Sequence, residues 1–238
     1  IFEKEKEKNI KNAKKIIVSA DIAKKELLEN VEVPQDKVEV VYPAIDIEYR
    51  KPKEVKKELC KKLDIDPKKK IILFTGRNFT SSGVVEFINM IMQLNFKNMI
   101  AIIVGDKKNI YNLRFKLSKY DVDEKLLLIE DYEDMNELFL ASDIFILPTH
   151  NQNFATNILK AMYCKCAVFT TVKNAAKEVI DVFSTMETPQ DRSMQFKVDA
   201  LLQNKADMKL IKNQNRTKAK QFTLDKQLKK VNKIIALS

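Results

Sequence analysis

The residues best suited to chemistry lie in two stretches, each placed directly after an apolar run. The first is GRNFTSSGVVEF, residues 76–87, where Gly76 and Gly83 flank a polar loop that contains Arg77. Free amides at a helix N-terminus, reached over residues without side chains, form a general phosphate site. Arg77 would add a permanently charged, bidentate contact to a pyrophosphate. The alternative reading is a purely structural strand–loop–helix junction.

The second stretch is DIFILPTHNQNFATNILKAMYCKCAVFTT, residues 143–171. An apolar run ends at Pro148, a polar loop follows, and a helix is predicted from Phe154. Such a loop suits an anionic or polyhydroxylated ligand. His150 is the sole histidine, and the sequence places no acid or nucleophile beside it, so its role stays open. Asn153 has a structural alternative as the cap of the helix.

The elements that must position these residues follow from hydrophobic periodicity. Short apolar runs alternate with amphipathic helical segments, which is typical of parallel βαβ units. We therefore predict an α/β fold, a Rossmann-like parallel sheet with helices on both faces, followed from about residue 190 by a helical C-terminal tail. The predicted strands are 15–18, 38–41, 71–75, 100–104, 126–129, 144–147 and 167–171. The predicted helices are 20–30, 53–63, 83–94, 107–119, 134–141, 154–163, 174–181, 190–203, 205–221 and 224–236.

The charge of the chain is uneven. The 238 residues carry 43 Lys and Arg against 33 Asp and Glu, a net charge of +10, and residues 151–238 hold 16 of the basic residues but only 7 of the acidic ones. The positive electrostatic field of these residues suits binding to an anionic bilayer, a phosphorylated substrate or a nucleic acid. We expect no nucleic-acid partner, because no recognition helix or stacking platform is present. The structural alternative is a set of lysines on solvated helix faces.

Composition excludes several other classes. The chain has three glycines, Gly76, Gly83 and Gly105. Their spacing matches neither a P-loop nor a G-x-G-x-x-G fingerprint. Three cysteines without C-x-x-C spacing and one histidine make no zinc site, so we expect no metal and reduced thiols. No apolar run approaches the roughly 20 residues that span a bilayer. Because the sequence begins at Ile1, we expect a piece of a longer protein.

The order of these segments resembles a family of enzymes. From IIVSADIAKKELLEN through IILFTGRNFTSSGVVEFI to AAKEVI, about residues 12–181, the chain is similar to the family 4 (group 1) retaining glycosyltransferases of GT-B fold. The loop GRNF with Gly83, and the segment IVGDKK, are most similar to the lipopolysaccharide-core glucosyltransferase branch. The resemblance implies two Rossmann-like domains with the active site between them. Residues 1–48 would be the end of the N-terminal acceptor domain and the linker, and residues 49–238 the nucleotide-sugar-binding domain.

The resemblance also implies a donor site. Gly76 and Arg77 match the family's glycine and arginine, the arginine contacting the donor pyrophosphate, whereas the family's lysine falls on Ser82. Its two glutamates, for the donor sugar and the ribose, fall on Gln152 and Lys160. The implied diphosphate ligands are Gly76, Arg77, Ser82 and Gly83. The implied sugar and nucleotide ligands are Gly105, His150, Gln152, Asn153, Phe154, Lys160 and Glu178.

Two functions are compatible with Ser82, Gln152 and Lys160 in place of the family's ligands. In the first, the chain is the donor half of an enzyme that transfers a hexose from a UDP- or GDP-sugar to a cell-envelope glycan or lipid acceptor, without a cofactor. That enzyme would lie in the cytoplasm, at the inner face of the membrane. In the second, the altered site is degenerate and the domain serves as a non-catalytic binding or scaffold partner. Neither reading assigns a catalytic residue.

Overall fold

The computed structural model describes residues 8–119 and 125–237, which contain two parallel sheets. The smaller sheet pairs β1 with β2, and the larger has the strand order β5-β4-β3-β6-β7-β8. The strands are β1 Ile16–Val18, β2 Val38–Val40, β3 Lys70–Thr75, β4 Met99–Gly105, β5 Leu126–Glu130, β6 Ile144–Leu147, β7 Ala167–Thr171 and β8 Thr185–Met186. This confirms the predicted α/β fold with a parallel sheet flanked by helices.

Helices connect the strands and complete the chain. Their bounds are α1 Asp21–Asn30, α2 Pro52–Lys62, α3 Phe79–Ser82, α4 Val84–Gln93, α5 Lys107–Leu117, α6 Met135–Ala141, α7 Thr156–Tyr163, α8 Ser193–Gln203, α9 Lys205–Ala219 and α10 Leu224–Ala236. Short 3-10 helices cover Gln35–Lys37, Ala175–Val179, Val182–Ser184 and Lys220–Phe222. Within the described ranges, no helix combines the length and apolar character needed to cross a membrane.

The central strands are apolar because helices cover the sheet. All residues of β6 and β7 are buried, and so are the four inner residues of β3. The register aligns Ile72 of β3 with Ala101 of β4 and with Ile144 of β6. Phe74 packs on Phe87 of α4 with 5.1 Å between ring centroids, which joins the sheet to that helix. Continuous apolar runs are expected for strands that are covered on both faces.

Residues 45–49 are held to the C-terminal part of the chain by long-range contacts. The Ile45 amide donates to the Phe222 carbonyl at 2.7 Å, and Leu224 N–H donates to the Ile45 carbonyl at 2.9 Å. The Arg216 guanidinium stacks on the Tyr49 ring, 3.1 Å from its centroid. A stacked arginine of this kind contributes about 0.5–2 kcal/mol. The domain boundary at residues 48 and 49 stays a prediction.

The predicted elements differ from the structure mainly at their ends. The predicted helix 174–181 is a 3-10 helix, Ala175–Val179, and the predicted loop after β3 contains α3. Helix α7 begins at Thr156, two residues later than predicted, with Ala155 as its N-cap. The reading of Asn153 as the cap is therefore wrong. The two-residue strand β8 was not predicted, because two residues carry no periodicity.

Candidate functional site

The main polar pocket lies at the point where the strand order reverses. Along the chain, β4 is added beside β3 and β5 beside β4, and the next strand, β6, then pairs with the other side of β3. In open parallel sheets, ligands bind outside the carboxyl ends of the strands at this switch point. A cavity of about 520 Å³ lies there, between the segments that follow β3 and β6. Its lining comprises Thr75, Gly76, Arg77, Asn78, Ser81, Ser82, Leu147, Thr149, Asn151, Asn153, Phe154, Ala155, Thr156, Asn157 and Asn174.

Two features give this pocket an affinity for anions. Arg77 is exposed, and its guanidinium makes no hydrogen bond or ion pair with any residue that the structure describes. Its carbonyl accepts a hydrogen bond from the Asn109 side chain at 3.1 Å, which positions the loop. Across the pocket, no described side chain accepts a hydrogen bond from the amides of the first turn of α7, although Asn174 accepts from the amide of its N-cap, Ala155. Free amides and the helix dipole make such an end electropositive.

Gly83 fixes the distance between the two pocket segments. Its φ of +82° lies in the left-handed region, and a Cβ atom there would lie 1.9 Å from the carbonyl oxygen of Pro148. Only glycine fits both the conformation and the close approach. The resemblance identified Gly83 as a diphosphate ligand, but Gly83 is absent from the pocket lining. Its contribution here is to bring the loop after β6 against the loop after β3.

Hydrogen bonds to Ser81 hold that same contact. The Ser81 carbonyl accepts from the Thr149 hydroxyl at 3.0 Å and from the His150 amide at 2.9 Å. The Ser81 hydroxyl also lies 3.3 Å from the amide nitrogen of the Asn151 side chain. Thr149 is buried, and its carbonyl accepts a further bond from the Thr171 hydroxyl at 2.8 Å. The pocket floor is thus fixed before any ligand arrives.

Asn174 organises the other side of the pocket, and sequence reasoning missed it. Its side chain is 1% exposed and makes four hydrogen bonds to backbone groups. The side-chain oxygen accepts from the amides of Ala155 and Ala176, at 3.2 and 3.0 Å. The side-chain nitrogen donates to the carbonyls of Asn151 and Asn153, at 3.1 and 2.6 Å. The only sequence signal was an asparagine at a predicted helix start, which normally means a cap.

Close packing explains the composition of the first loop. A Cβ atom on Gly76 would lie 2.3 Å from the Ser82 hydroxyl, so Ser82 occupies the space beside that glycine. Gly105 packs in the same way against the Phe79 ring, and it is not part of the pocket lining. Ser82 lines the pocket but brings no charge to it. Arg77 is therefore the cation in this lining.

Three other candidate ligands lie outside the pocket lining. His150 Nε2 lies 2.9 Å from the carboxylate of Glu86 on α4, and that carboxylate also accepts a 2.7 Å bond from Gln190. Gln152 is exposed, and its backbone carbonyl accepts a hydrogen bond from the Ala175 amide at 2.9 Å. The side chain of Lys160, on α7, lies outside the pocket lining. The structure does not bring these three side chains together with Arg77.

Glu178 contacts the first segment of the chain instead of the pocket. Its carboxylate accepts hydrogen bonds from the amides of Asp21 and Ile22, at 3.0 and 2.6 Å, at the start of α1. It also accepts from the Tyr42 hydroxyl at 2.8 Å. Burial and the Glu178 hydrogen bond raise the pKa of Tyr42 well above its usual range. A carboxylate at a helix N-terminus stabilises the helix, so Glu178 attaches α1 to the larger domain.

The described residues contain no group of three or more His, Cys, Asp or Glu side chains that could hold a metal ion. The three cysteines are buried and unpaired. Among the pocket-lining residues, the positive charge available to an anion is that of Arg77 and of the first turn of α7. Together the parallel sheet, its strand order and the polar pocket at the switch point are those of a Rossmann-like α/β domain.

Comparison with known proteins gives the family. The model of the family "Glycosyl transferases group 1" matches residues 55–219, which is more than half of the chain. The chain belongs to this family, and its fold is that of GT-B glycosyltransferases. A glycosyltransferase from Rickettsia africae superimposes with a TM-score of 0.82 at 21% identity, covering 96% of this chain and 65% of that one. Anabaena HepE in complex with UDP-glucose gives 0.82 at 14% identity, covering 95% and 64%.

A curated relative is 25% identical over 201 residues. It is the N-acetylgalactosamine-N,N'-diacetylbacillosaminyl-diphospho-undecaprenol 4-alpha-N-acetylgalactosaminyltransferase of Campylobacter jejuni. The match covers 83% of this chain and 53% of that protein. The chain therefore spans about half the length of the curated relative that it matches.

Proposed function

We propose that this chain is the donor-binding part of a retaining glycosyltransferase, which moves a hexose from a UDP- or GDP-sugar to a cell-envelope glycan or a lipid-linked acceptor. One observation carries this proposal. The guanidinium of Arg77, which has no partner among the described residues, and the first turn of α7 share one preformed pocket at the switch point of the sheet. The matched family supports sugar transfer as the activity. The remaining active-site groups would lie in a domain outside this chain.

The pocket suits the diphosphate of a nucleotide sugar. When the sugar leaves, negative charge develops on the diphosphate, and fixed positive groups stabilise that charge without reorganising. Arg77 supplies a planar, permanently charged donor set, and the first turn of α7 supplies amides. In this proposal these two features balance the charge of the leaving group, and no metal or cofactor takes part.

The polar side chains on the α7 side suit a sugar or a ribose. The pocket lining includes the amides of Asn151, Asn153 and Asn157, each of which offers both donors and an acceptor to hydroxyl groups. Gln152 and Lys160, which replace the family's glutamates, remain predicted ligands. Lys160 cannot accept a hydrogen bond, so a role for it would involve a phosphate rather than a ribose hydroxyl.

The relatives support the choice of substrates. HepE was crystallised with UDP-glucose, and the Campylobacter relative is named for transfer to a diphospho-undecaprenol-linked glycan. We propose substrates of the same classes here, a UDP-sugar donor before a GDP-sugar and a polyprenyl diphosphate-linked or lipopolysaccharide-core acceptor. We also propose a cytoplasmic location at the inner face of the membrane, because the lysine-rich residues 151–238 suit an anionic bilayer.

A second function, a non-catalytic binding domain, has one observation in its favour. Ser82 fills the space beside Gly76 and leaves Arg77 as the one cation among the pocket-lining residues. Both functions predict nucleotide-sugar binding, whereas only the enzyme transfers sugar. An assay of the full-length protein with lipid-linked acceptors separates them, and the anomeric configuration of the product tests the retaining mechanism.

Calorimetric titration of UDP, UDP-sugars, GDP and GDP-sugars tests donor binding. We expect a UDP-sugar to bind, and Arg77→Ala to weaken its binding about 10- to 100-fold, because a charged hydrogen bond contributes about 1.5–3 kcal/mol. Arg192→Ala is the matched control, since Arg192 is exposed and lies outside this pocket. An absence of heat with every nucleotide, or equal losses in the two variants, would contradict the proposal.

A further inference from the structure

A second cleft lies at the opposite edge of the sheet from the donor pocket. Its volume is about 370 Å³, and it lies between α9 and the amino ends of β3 and β6. Strand β3 runs from Lys70, in this cleft, to Thr75, in the donor pocket. Six extended residues separate the two sites by about 17 Å. The cleft lining comprises Lys70, Asp143, Lys165, Lys205, Met208, Lys209, Lys212 and Asn213.

The charge of this cleft is strongly positive. Five of the eight lining residues are lysines, and Asp143 is the one acidic residue among them. Asp143 accepts from Lys212 at 3.1 Å and from Lys70 at 3.4 Å, and also from Lys56, at 2.7 Å, from outside the lining. A single carboxylate thus faces three ammonium groups.

The remaining lysines of the cleft have no anionic partner among the described residues. Lys165, Lys205 and Lys209 form no ion pair with any residue in the described ranges. The neighbouring acidic side chain of Asp207 accepts instead from Asn204, at 2.6 Å. Because like charges that converge on a concave surface repel one another, an unneutralised lysine cluster attracts an external anion.

Two structural features keep the lysines in this position. Lys205, Lys209 and Lys212 recur at spacings of four and three residues, which places them on one face of α9. Lys165 adopts a φ of +64°, a left-handed conformation that favours glycine. Lys165 is one of the residues that line the cleft.

From this arrangement we infer that the cleft, which we call the lysine cleft, binds a phosphate-bearing anion of at least two negative charges. Lysine binds phosphate as a compact point charge, and several lysines suit a diphosphate or a phosphorylated headgroup. This site is separate from the donor pocket, shares no lining residue with it, and does not depend on the proposed function.

The test measures binding of pyrophosphate by the whole chain in an Arg77→Ala background, which weakens the donor pocket. We expect Lys205→Gln/Lys209→Gln to weaken pyrophosphate binding at least tenfold. These lysines do not contact Asp143, so the substitution leaves the buried ion pairs intact. Lys229→Gln/Lys230→Gln on α10 removes the same charge from an exposed surface and serves as the control, with an expected change below twofold.

A second arm distinguishes a free phosphate compound from a lipid headgroup. Phosphatidylcholine vesicles that contain cardiolipin, whose headgroup carries two phosphates, are sedimented with the same variants. Vesicle binding that is lost only in Lys205→Gln/Lys209→Gln supports the lysine cleft as a headgroup site, even where pyrophosphate binds weakly. Equal losses in the two double variants, or no binding of either probe, would overturn the inference, provided that circular dichroism shows folded proteins.

Discussion

Individual residues at the proposed donor pocket divide into those that line it and those that bring its two loops together. Arg77 is exposed and lines the pocket, and its guanidinium lacks a partner among the described residues, as expected of a diphosphate ligand. Gly83 was predicted as a ligand too, yet its structural role is the approach to Pro148. A single sequence shows that a glycine is present. It does not show which neighbouring backbone atom approaches so closely that a side chain is excluded.

We expect Gly83→Ala to destabilise the protein. The left-handed backbone alone costs an alanine about 1–2 kcal/mol, and the contact with the Pro148 carbonyl adds to that cost. Urea denaturation measures the difference in the free energy of unfolding. Asn89→Ala, an exposed change on α4, is the control and should alter stability by less than about 0.5 kcal/mol. A Gly83→Ala protein as stable as the control would refute this account of the loop.

At the scale of elements, the strands were the most predictable part of the fold. The apolar runs of β3, β4, β6 and β7 are buried on both faces, so hydrophobicity alone located them to within about two residues. The loop that forms the pocket was less predictable. Its shape depends on the hydrogen bonds of Asn174, three of which connect residues 19 to 23 positions apart, and such contacts leave no periodic signal.

We expect Asn174→Ala to lower both stability and nucleotide affinity. The substitution leaves the amides of Ala155 and Ala176 without a partner, at about 1–3 kcal/mol for each buried group. It also releases the loop that carries Asn151 and Asn153. Calorimetry and urea denaturation measure the two effects, with exposed Asn232→Ala on α10 as the control. Unchanged nucleotide binding in Asn174→Ala would separate the loop from ligand recognition.

At the scale of the whole molecule, the ion pairs of the buried Asp143 connect α2, α9 and two strands. Burial raises the pKa of Asp143. The positive charges of Lys212 and Lys56 outweigh this effect of burial and hold the pKa well below its usual range. A carboxylate with a depressed pKa stabilises the fold above its unfolded-state pKa, near 3.9, and that contribution is lost as the pH falls toward the folded-state value. The lysine-rich composition was visible in the sequence, whereas its convergence on Asp143 was not.

We expect Asp143→Asn to destabilise the protein by about 3 kcal/mol at pH 7, because three lysines lose their shared partner. The variant should also lose part of the acid-induced fall in stability below about pH 4. Urea denaturation from pH 3 to pH 7 measures both effects. Glu58→Gln, which removes an exposed partner of Arg50, is the control and should change stability by less than about 1 kcal/mol. Identical acid dependence in Asp143→Asn and the native protein would contradict this role.

The central claim is that the pocket at the switch point holds the donor diphosphate. A crystal structure of this chain soaked with a UDP-sugar tests it most directly, because it shows where the ligand lies. We predict the diphosphate at the N-terminus of α7, within hydrogen-bond distance of Arg77, with the sugar or ribose toward Asn151, Asn153 and Asn157. A nucleotide bound at any other place, with this pocket empty, would contradict the claim.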